Sequence, residues 1–316
     1  MEPVVNLSAL NFVREGHSFL NARKAGNYSI DELNTINEYV KHVFEEAQKP
    51  PKPTYKVGIM FVAINQHYWQ YMKPVIDGVK QYFLPGHETE IMVWTDMQTY
   101  PEAKDVNYGA TVFSTDTVHW PYPTLLRYDF FLAQEEYLKK FDYIFYLDLD
   151  MRVVSIVGDE ILGEGLTAAA HPMYYLRQPL WFPYEPNEKS LAYIKQPGYL
   201  EDEKTFRPFY AAGGFQGGKT DHFLAAMHTM KQKIDKDMDN GYIARWNDES
   251  HWNRYLFDNP ASVYLDPSYV YPDSLISEYY EKVWGRNFTP RIITLTKPFS
   301  TSKEAGAASQ QKLKNM

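Results

Sequence analysis

Five consecutive apolar residues, Tyr143–Leu147, run without a polar break into Asp148-Leu149-Asp150. A strand that is apolar on both faces is covered on both sides, as in the parallel sheets of α/β proteins. The preceding chain agrees. Residues 57–63 form another continuous apolar run suited to a buried strand. Trp69, Met72, Ile76, Val79 and Phe83 then recur at helical spacing. Residues 90–94 and 110–113 predict further strands, and residues 125–138 a helix. Strand and helix in this order predict an α/β sheet of largely parallel strands, with ligands at their carboxyl ends.

Beyond Asp150 the pattern loosens. Residues 172–208 are rich in Pro, Tyr and charge, which predicts a long irregular loop of the kind that carries function. A strand over 209–215 and helices over 221–233 and 249–257 complete the domain. Ahead of it, Ser29 and Glu32 form a capping-box pattern, with Leu33, Ile36, Val40 and Val43 at helical spacing. Lys49-Pro50-Pro51-Lys52-Pro53 reads as an extended linker. The organisation expected is a helical appendage with a Pro-rich linker (1–54), a main domain (55–300) and a mobile polar tail (301–316).

Several partner classes are excluded by composition. The formal net charge is -8 and no Lys/Arg block occurs, so no nucleic-acid partner is expected. No apolar run approaches the roughly 20 residues that cross a bilayer, so no integral membrane segment is expected. The first residues, Met1-Glu2-Pro3-Val4, lack the basic-then-apolar pattern of a signal peptide. The absence of cysteine removes disulfides, thiolate metal sites and cysteine nucleophiles. A soluble cytoplasmic protein is the expectation. Aromatic residues make up 16% of the chain, including 26 Tyr and 7 Trp, and such rings suit the stacking of sugar faces.

A strand that ends in Asp-x-Asp directs both carboxylates to one side, because strand side chains alternate. Two adjacent carboxylates repel unless a cation or a proton lies between them, and hard oxygen ligands suit Mn²⁺ or Mg²⁺ shared with a phosphate. The bland alternative is a solvated strand end. Three enzyme classes use the pattern. Phosphatases with an aspartyl nucleophile carry it near the N-terminus, whereas here it lies mid-chain and continues with Met151-Arg152. Gly213-Gly214-Phe215-Gln216-Gly217-Gly218-Lys219-Thr220 matches the P-loop pattern of nucleoside triphosphatases, but the acidic strand precedes the glycines instead of following them. The third class is the nucleotide-sugar transferases. Glycines 213, 214, 217 and 218 allow a bulky ligand close to backbone, or else mark a tightly packed strand. Trp246-Asn247-Asp248-Glu249-Ser250-His251-Trp252 gathers two acids, an imidazole and two indoles at a helix start, where acids also serve simply as caps.

In order along residues 56–300, these segments resemble the retaining glycosyltransferase family of the ABO blood-group transferases and the α-1,3-galactosyltransferase. The resemblance implies a GT-A type, Rossmann-like fold with a mixed, mostly parallel sheet. Phe61-Val62-Ala63-Ile64-Asn65-Gln66-His67-Tyr68 is similar to the uridine-contacting strand and turn, which assigns Phe61, Ala63 and Tyr68 to the donor. Trp120-Pro121 followed by Leu126-Arg127-Tyr128 resembles the segment whose Arg contacts the donor, hence Arg127. Tyr146-Leu147-Asp148-Leu149-Asp150 looks like the metal motif, with Asp148 also on the donor. Ala170-His171-Pro172 resembles the segment whose His faces the acceptor.

Phe209-Tyr210-Ala211-Ala212-Gly213-Gly214 is similar to the donor-selecting strand, and small residues at Ala212 and Gly214 favour UDP-GalNAc over UDP-galactose. Trp246-Asn247-Asp248-Glu249-Ser250 resembles the segment that provides an acceptor-binding Trp, a donor-binding Asp and the catalytic Glu. Glu249 is thus assigned to catalysis and to the acceptor, although Asn247 stands where the family has His. Tyr264-Leu265-Asp266-Pro267-Ser268-Tyr269 resembles a further family segment, and Lys297, with Lys303, matches basic residues that close over the diphosphate. The implied activity is Mn²⁺-dependent α-1,3 transfer of GalNAc or Gal from a UDP-sugar to a galactoside-containing oligosaccharide, with Mg²⁺ as the alternative cation. A non-catalytic sugar-binding relative is the competing reading. The lack of the membrane anchor of the animal enzymes implies a bacterial or viral form.

Overall fold

The apolar run does form a strand, β4 (Tyr143–Leu147), and every residue of it is buried. The computed structural model describes residues 41, 53–100, 103, 105–175, 183–195, 209–273 and 288–295. They belong almost entirely to the second of two units into which the chain divides, Met1–Pro53 and Thr54–Met316. The helix expected near residues 29–43, apart from Lys41, and the tail from 301 lie outside the described residues.

Around β4 the sheet takes the order β3-β2-β1-β4-β7-β6-β8. Its members are β1 (Lys56–Ala63), β2 (Glu88–Thr95), β3 (Thr111–Ser114), β6 (Leu166–Ala170), β7 (Ala211–Lys219) and β8 (Val263–Leu265). β3, β2, β1 and β4 run parallel, β7 is antiparallel to both of its neighbours, and β6 pairs with β8 in parallel. This is the mixed, mostly parallel α/β sheet that the resemblance implies. A second, smaller sheet joins β5 (Met151–Val153), β10 (Ile292–Thr294) and β9 (Tyr271–Pro272).

Helices cover both faces, which is why the strands need no polar alternate. On one face Val57, Ile59 and Phe61 of β1 pack with Met72, Val75, Ile76 and Val79 of α2 (Met72–Tyr82), which follows the short α1 (Gln66–Trp69). On the other, Met60, Trp94 and Tyr146 meet Phe131 of α4 (Arg127–Leu132), Phe223, Met227 and Met230 of α6 (Thr220–Asp239), and Trp252 of α7 (Asn247–Asp258). Full burial of a side chain of this kind stabilises by about 1.5–3 kcal/mol.

Two expectations are corrected, and a third point, the role of the glycines, falls to the tightly packed strand. The helix predicted over 125–138 is three short turns, α3 (Tyr122–Leu125), α4 and α5 (Glu135–Leu138). Non-helical backbone at Leu126 (φ -94°, ψ 2°) and Gln134 (φ -115°, ψ 25°) separates them. The first break turns Arg127 and Tyr128 inward together, at 5% and 0% exposure. β5 and β6 lie where no strand was expected, because they are short and β6 has three Ala against a single β-branched residue, Thr167. Finally, the P-loop-like glycines form no phosphate-cradling loop but lie inside β7. A Cβ on Gly217 would stand 2.5 Å from the Ile144 carbonyl, and Gly218 is equally enclosed by Gly165 and Leu166. These two glycines serve strand packing.

Candidate active site

The carboxyl ends of β1 and β4 and the amino end of the antiparallel β7 lie at one edge of the sheet. There β7 breaks register with β6. Gln216 pairs with Ala168 and Ala211 with Ala170, so the intervening Ala212–Phe215 stretch bows away from β6 while Phe215 keeps its pairing with Leu147 of β4. A bulge of this kind re-aims backbone groups and recurs beside active sites. Here Gly213 presents both its backbone groups to side chains. Its N–H donates to Glu249 Oε2 (2.8 Å), and its carbonyl accepts from Gln216 Nε2 (2.9 Å).

Each bulge glycine has a carboxylate lying where its side chain would be. A Cβ on Gly213 would come 2.9 Å from Glu249 Cβ, and a Cβ on Gly214 would come 2.9 Å from Asp148 Oδ2. Asp148 lies just past β4, its N–H donating to the Gly214 carbonyl (2.9 Å). The chain then turns, with Met151 N–H on the Asp148 carbonyl, so strand alternation does not extend to Asp150. Asp148 is 35% exposed at the mouth of the crevice, whereas Asp150 is buried.

A buried guanidinium joins two acids. Arg127 Nη1 lies 3.6 Å from Asp148 Oδ1 and 3.4 Å from Asp248 Oδ2, and the guanidinium stacks 4.3 Å over the Tyr146 ring. Tyr146 O–H donates to Asp148 Oδ1. Burial alone would lower the Arg127 pKa, but Asp248, Tyr146 and Asp148 outweigh it and hold the pKa above its usual value. Asp248 is raised to about 6 by burial, with Arg127 opposing and Asp148 adding to the rise. Arg127 Nε has no hydrogen-bond partner, and Nη1 has only its two ion pairs. Buried donors left over in a crevice suit an oxygen-rich ligand. Gln216 continues the network, accepting from Tyr128 O–H (2.8 Å) and donating to Asp248 Oδ2 (3.3 Å).

Glu249, in the first turn of α7, is held differently. Tyr210 O–H donates to its Oε1 (2.8 Å), and Gly213 N–H to its Oε2. Burial raises its pKa to about 7, with the two hydrogen bonds opposing and the charges of Asp248 and Asp148 adding. Both acids lie in the first turn of α7, where they also favour the helix dipole, although neither caps its start through a side-chain hydrogen bond. Asn253 fixes α7 to β7, donating from Nδ2 to the Ala211 and Glu249 carbonyls and accepting from Ala211 N–H.

The other predicted residues distribute as follows. His171, just past β6, packs its ring against Tyr174 and Tyr210 (5.0 and 5.8 Å between centroids), beside the tyrosine that holds Glu249. Burial lowers its pKa to about 4, and its Nδ1 accepts from Met173 N–H, so it is a neutral ring protonated on Nε2. Trp246, just ahead of the two acids, is 44% exposed. Ala212 is buried in the bulge. Tyr68, in α1, is half-buried between His67 and Tyr71. Phe61 and Ala63 are fully buried; the Phe61 ring lies among the core residues of one sheet face and presents no surface to a nucleobase. Lys297 and Lys303 lie outside the described residues.

Sequence reasoning missed Tyr210, Gln216, Tyr128 and Asn253, whose long-range bonds reach 32 to 88 residues away in sequence. It also missed Asp96. That carboxylate, fully buried, accepts from Asn65 N–H, Trp69 Nε1–H and Thr117 O–H, and so braces the turn after β1.

Among the described residues no group of three or more His, Asp or Glu side chains is arranged to cage a metal ion. Two carboxylates are nonetheless the usual protein share for Mg²⁺ or Mn²⁺, which take their remaining oxygens from phosphates and water. Asp148 and Asp150 supply oxygens of that kind. A cavity of about 720 Å³ lies at the opposite end of β4, lined by Tyr55, Lys139, Asp142, Lys219 and His228 among others. Its cations are already paired, Lys219 with Glu164 and Lys139 and His228 with Glu135.

The model of glycosyltransferase family 6 matches residues 37–282. Rat histo-blood group ABO system transferase 1 is 30% identical over 230 residues, which cover 70% of this chain and 62% of the rat protein. Human globoside α-1,3-N-acetylgalactosaminyltransferase 1 is 26% identical over 223 residues, covering 69% of this chain and 61% of the human one. The Escherichia coli O-antigen biosynthesis glycosyltransferase WbnI is 27% identical over 212 residues, covering 67% and 82%. The chain therefore spans a little over three fifths of the length of the two animal relatives. No helix among the described residues is long and apolar enough to cross a membrane.

Proposed function

The chain belongs to glycosyltransferase family 6, and from that premise and the geometry of the crevice we propose that it transfers GalNAc, or Gal, from a UDP-sugar in α-1,3 linkage to a galactoside acceptor, with retention of configuration and dependence on Mn²⁺. The observation that carries this is the pair of adjacent bulge glycines, each packed against a carboxylate. Asp148 at Gly214 belongs with a diphosphate and its cation; Glu249 at Gly213 belongs with a sugar carbon. The activities named for the relatives, including α-1,3-N-acetylgalactosaminyl transfer, support the same reading.

Asp148 and Asp150 would hold the cation, with Mg²⁺ as the second choice. When bound, it neutralises charge growing on the departing UDP, on the order of several kcal/mol. The leftover donors of Arg127 meet donor oxygens from the other side, and Asp248 accepts from sugar hydroxyls. Glu249 lies beneath the anomeric carbon. Its carboxylate bonds to that carbon as UDP leaves, to be displaced by the acceptor hydroxyl, or else stabilises the positive centre while both groups exchange on one face. Ala212 and Gly214 are the small residues at the positions that the resemblance ties to donor choice, and they favour GalNAc. Trp246 and His171 receive the acceptor; an exposed indole and a neutral imidazole suit a sugar face and its hydroxyls.

The test is UDP release from UDP-GalNAc and UDP-Gal, each with lactose, in Mn²⁺ or in excess chelator. Release with Mn²⁺, faster from UDP-GalNAc and suppressed by chelator, is expected. No release from either donor under any of these conditions would overturn the proposal in favour of a non-catalytic sugar-binding protein.

A further inference from the structure

Within the loop region 172–208, the described stretch 183–195 is not loose. Two buried carboxylates anchor it. Asp237 of α6 accepts from Ser190 O–H (2.6 Å) and Leu191 N–H (2.9 Å). Glu185, 1% exposed, accepts from Asn187 N–H (2.8 Å) within the stretch. It also reaches out of it, accepting from Tyr242 O–H (2.8 Å) and Arg245 N–H. Arg254 of α7 adds a bond to the Tyr193 carbonyl (3.0 Å). Tyr184 and Ile194 of the same stretch form a small separate core with Tyr210, partly covered by Tyr174.

Glu185 thus ties together two parts of the acceptor side. One is the segment of Tyr242 and Arg245, which leads directly into exposed Trp246 and the acids Asp248 and Glu249. The other is the packing around Tyr210, whose hydroxyl holds Glu249 and whose ring supports His171. Resting on the transferase reading above, we propose that Glu185 is a positioning residue for acceptor binding: it touches no substrate but sets where Trp246 and Tyr210 stand. Only a carboxylate accepts all of these bonds. The amide nitrogen of a glutamine cannot accept from a backbone N–H, so Glu185→Gln loses either the Arg245 or the Asn187 bond, whichever way the amide turns. Glu185→Asp keeps the acceptors on a shorter arm. The donor side has no contact with Glu185, since the Asp148–Arg127–Asp248 network is built from β4, α4 and α7.

The expected signature is a split between substrates. In Glu185→Gln the KM for lactose rises about tenfold or more, while the KM for UDP-GalNAc stays within about twofold of wild type. Glu185→Asp restores much of the lactose KM. In the protein alone, amide hydrogen exchange over residues 242–249 speeds up about tenfold in Glu185→Gln, while exchange in β4 is unchanged. A merely structural role would raise both KM values together or neither. If wild type transfers sugar and Glu185→Gln keeps its lactose KM, or if exchange over 242–249 is unaltered, the proposal falls and the transferase reading stands. If wild type releases no UDP, the transferase reading fails and this proposal with it.

Discussion

Asp148 and Glu249 lie against neighbouring glycines of one bulge, yet their surroundings differ in kind. Asp148 stands at the mouth of the crevice opposite a buried guanidinium, with a tyrosine hydroxyl on the same oxygen. Glu249 is held only by neutral donors, Tyr210 O–H and Gly213 N–H, with two further acids nearby. Asp148, open to the crevice beside Arg127, is placed to meet a cation that enters from solvent. A carboxylate that burial holds near neutrality is a stronger base when it ionises and lies close to what it acts upon. The contrast teaches that a bulge can present two carboxylates side by side and assign them different work by what lies behind each.

Breaking the Glu249 side should have the largest effect. Glu249→Gln keeps size and can keep both contacts, because the Tyr210 hydroxyl can rotate to accept from the amide. We expect kcat to fall ~10³-fold or more with UDP affinity nearly unchanged. Calorimetric UDP binding beside single-turnover rates measures both, and near-normal turnover would remove Glu249 from catalysis. Breaking the other side is next. Asp148→Asn or Asp150→Asn should lower Mn²⁺-supported transfer ~10²-fold or more and blunt the response to added Mn²⁺. The melting temperature should change little, since β4 ends at Leu147, before either residue. A variant still activated by Mn²⁺ at wild-type concentrations would put the cation elsewhere.

How far this contrast was visible beforehand differs between its halves. Local pattern is enough for β4, because five apolar residues ending at an acid specify a buried strand and its functional end without reference to the rest of the chain. The same holds for the α/β class. Asp248 and Glu249 were identified through the resemblance, since their local pattern suits a helix cap equally well. What neither route supplies is the environment. The bulge comes from a register shift between β6 and β7, whose paired residues lie over forty positions apart. The break at Leu126 that turns Arg127 inward runs against a helical pattern in its own segment. Phe61 shows the reverse error, a motif residue enclosed by the core that surrounds it. Side-chain environment is set by long-range packing, and sequence spacing carries little of it.

The glycines permit a finer cut at the comparison, with effects of about tenfold. In Gly213→Ala the new methyl comes 2.9 Å from Glu249 Cβ, which is anchored to its helix, so Glu249 shifts and kcat falls. In Gly214→Ala it meets Met151 Cε at 2.6 Å, a flexible end, and Asp148 Oδ2 at 2.9 Å. That substitution should raise the Mn²⁺ concentration needed for half-maximal rate and leave the catalytic carboxylate in place. Steady-state rates across a Mn²⁺ titration separate the two, and identical profiles would mean that the glycines do not divide the site.

The smallest effect tests the cause of the contrast directly. Burial raises Glu249 from an ordinary 4.5 to about 7 in the folded chain. The folded protein therefore binds this proton more tightly than the unfolded one. Its contribution to stability is complete below about pH 4.5 and is lost as pH rises through about 7. Compared with Glu249→Gln, which has nothing to ionise there, wild type should lose on the order of 2 kcal/mol between pH 5 and 8, or about 5 °C in melting temperature. Asp248, raised to about 6, tilts both proteins the same way and largely cancels in the difference. Melting curves of the two proteins, taken without divalent cation across that range, should converge or cross as pH rises. A constant offset would mean that Glu249 ionises freely, and the distinction drawn between the two carboxylates would then rest on position alone.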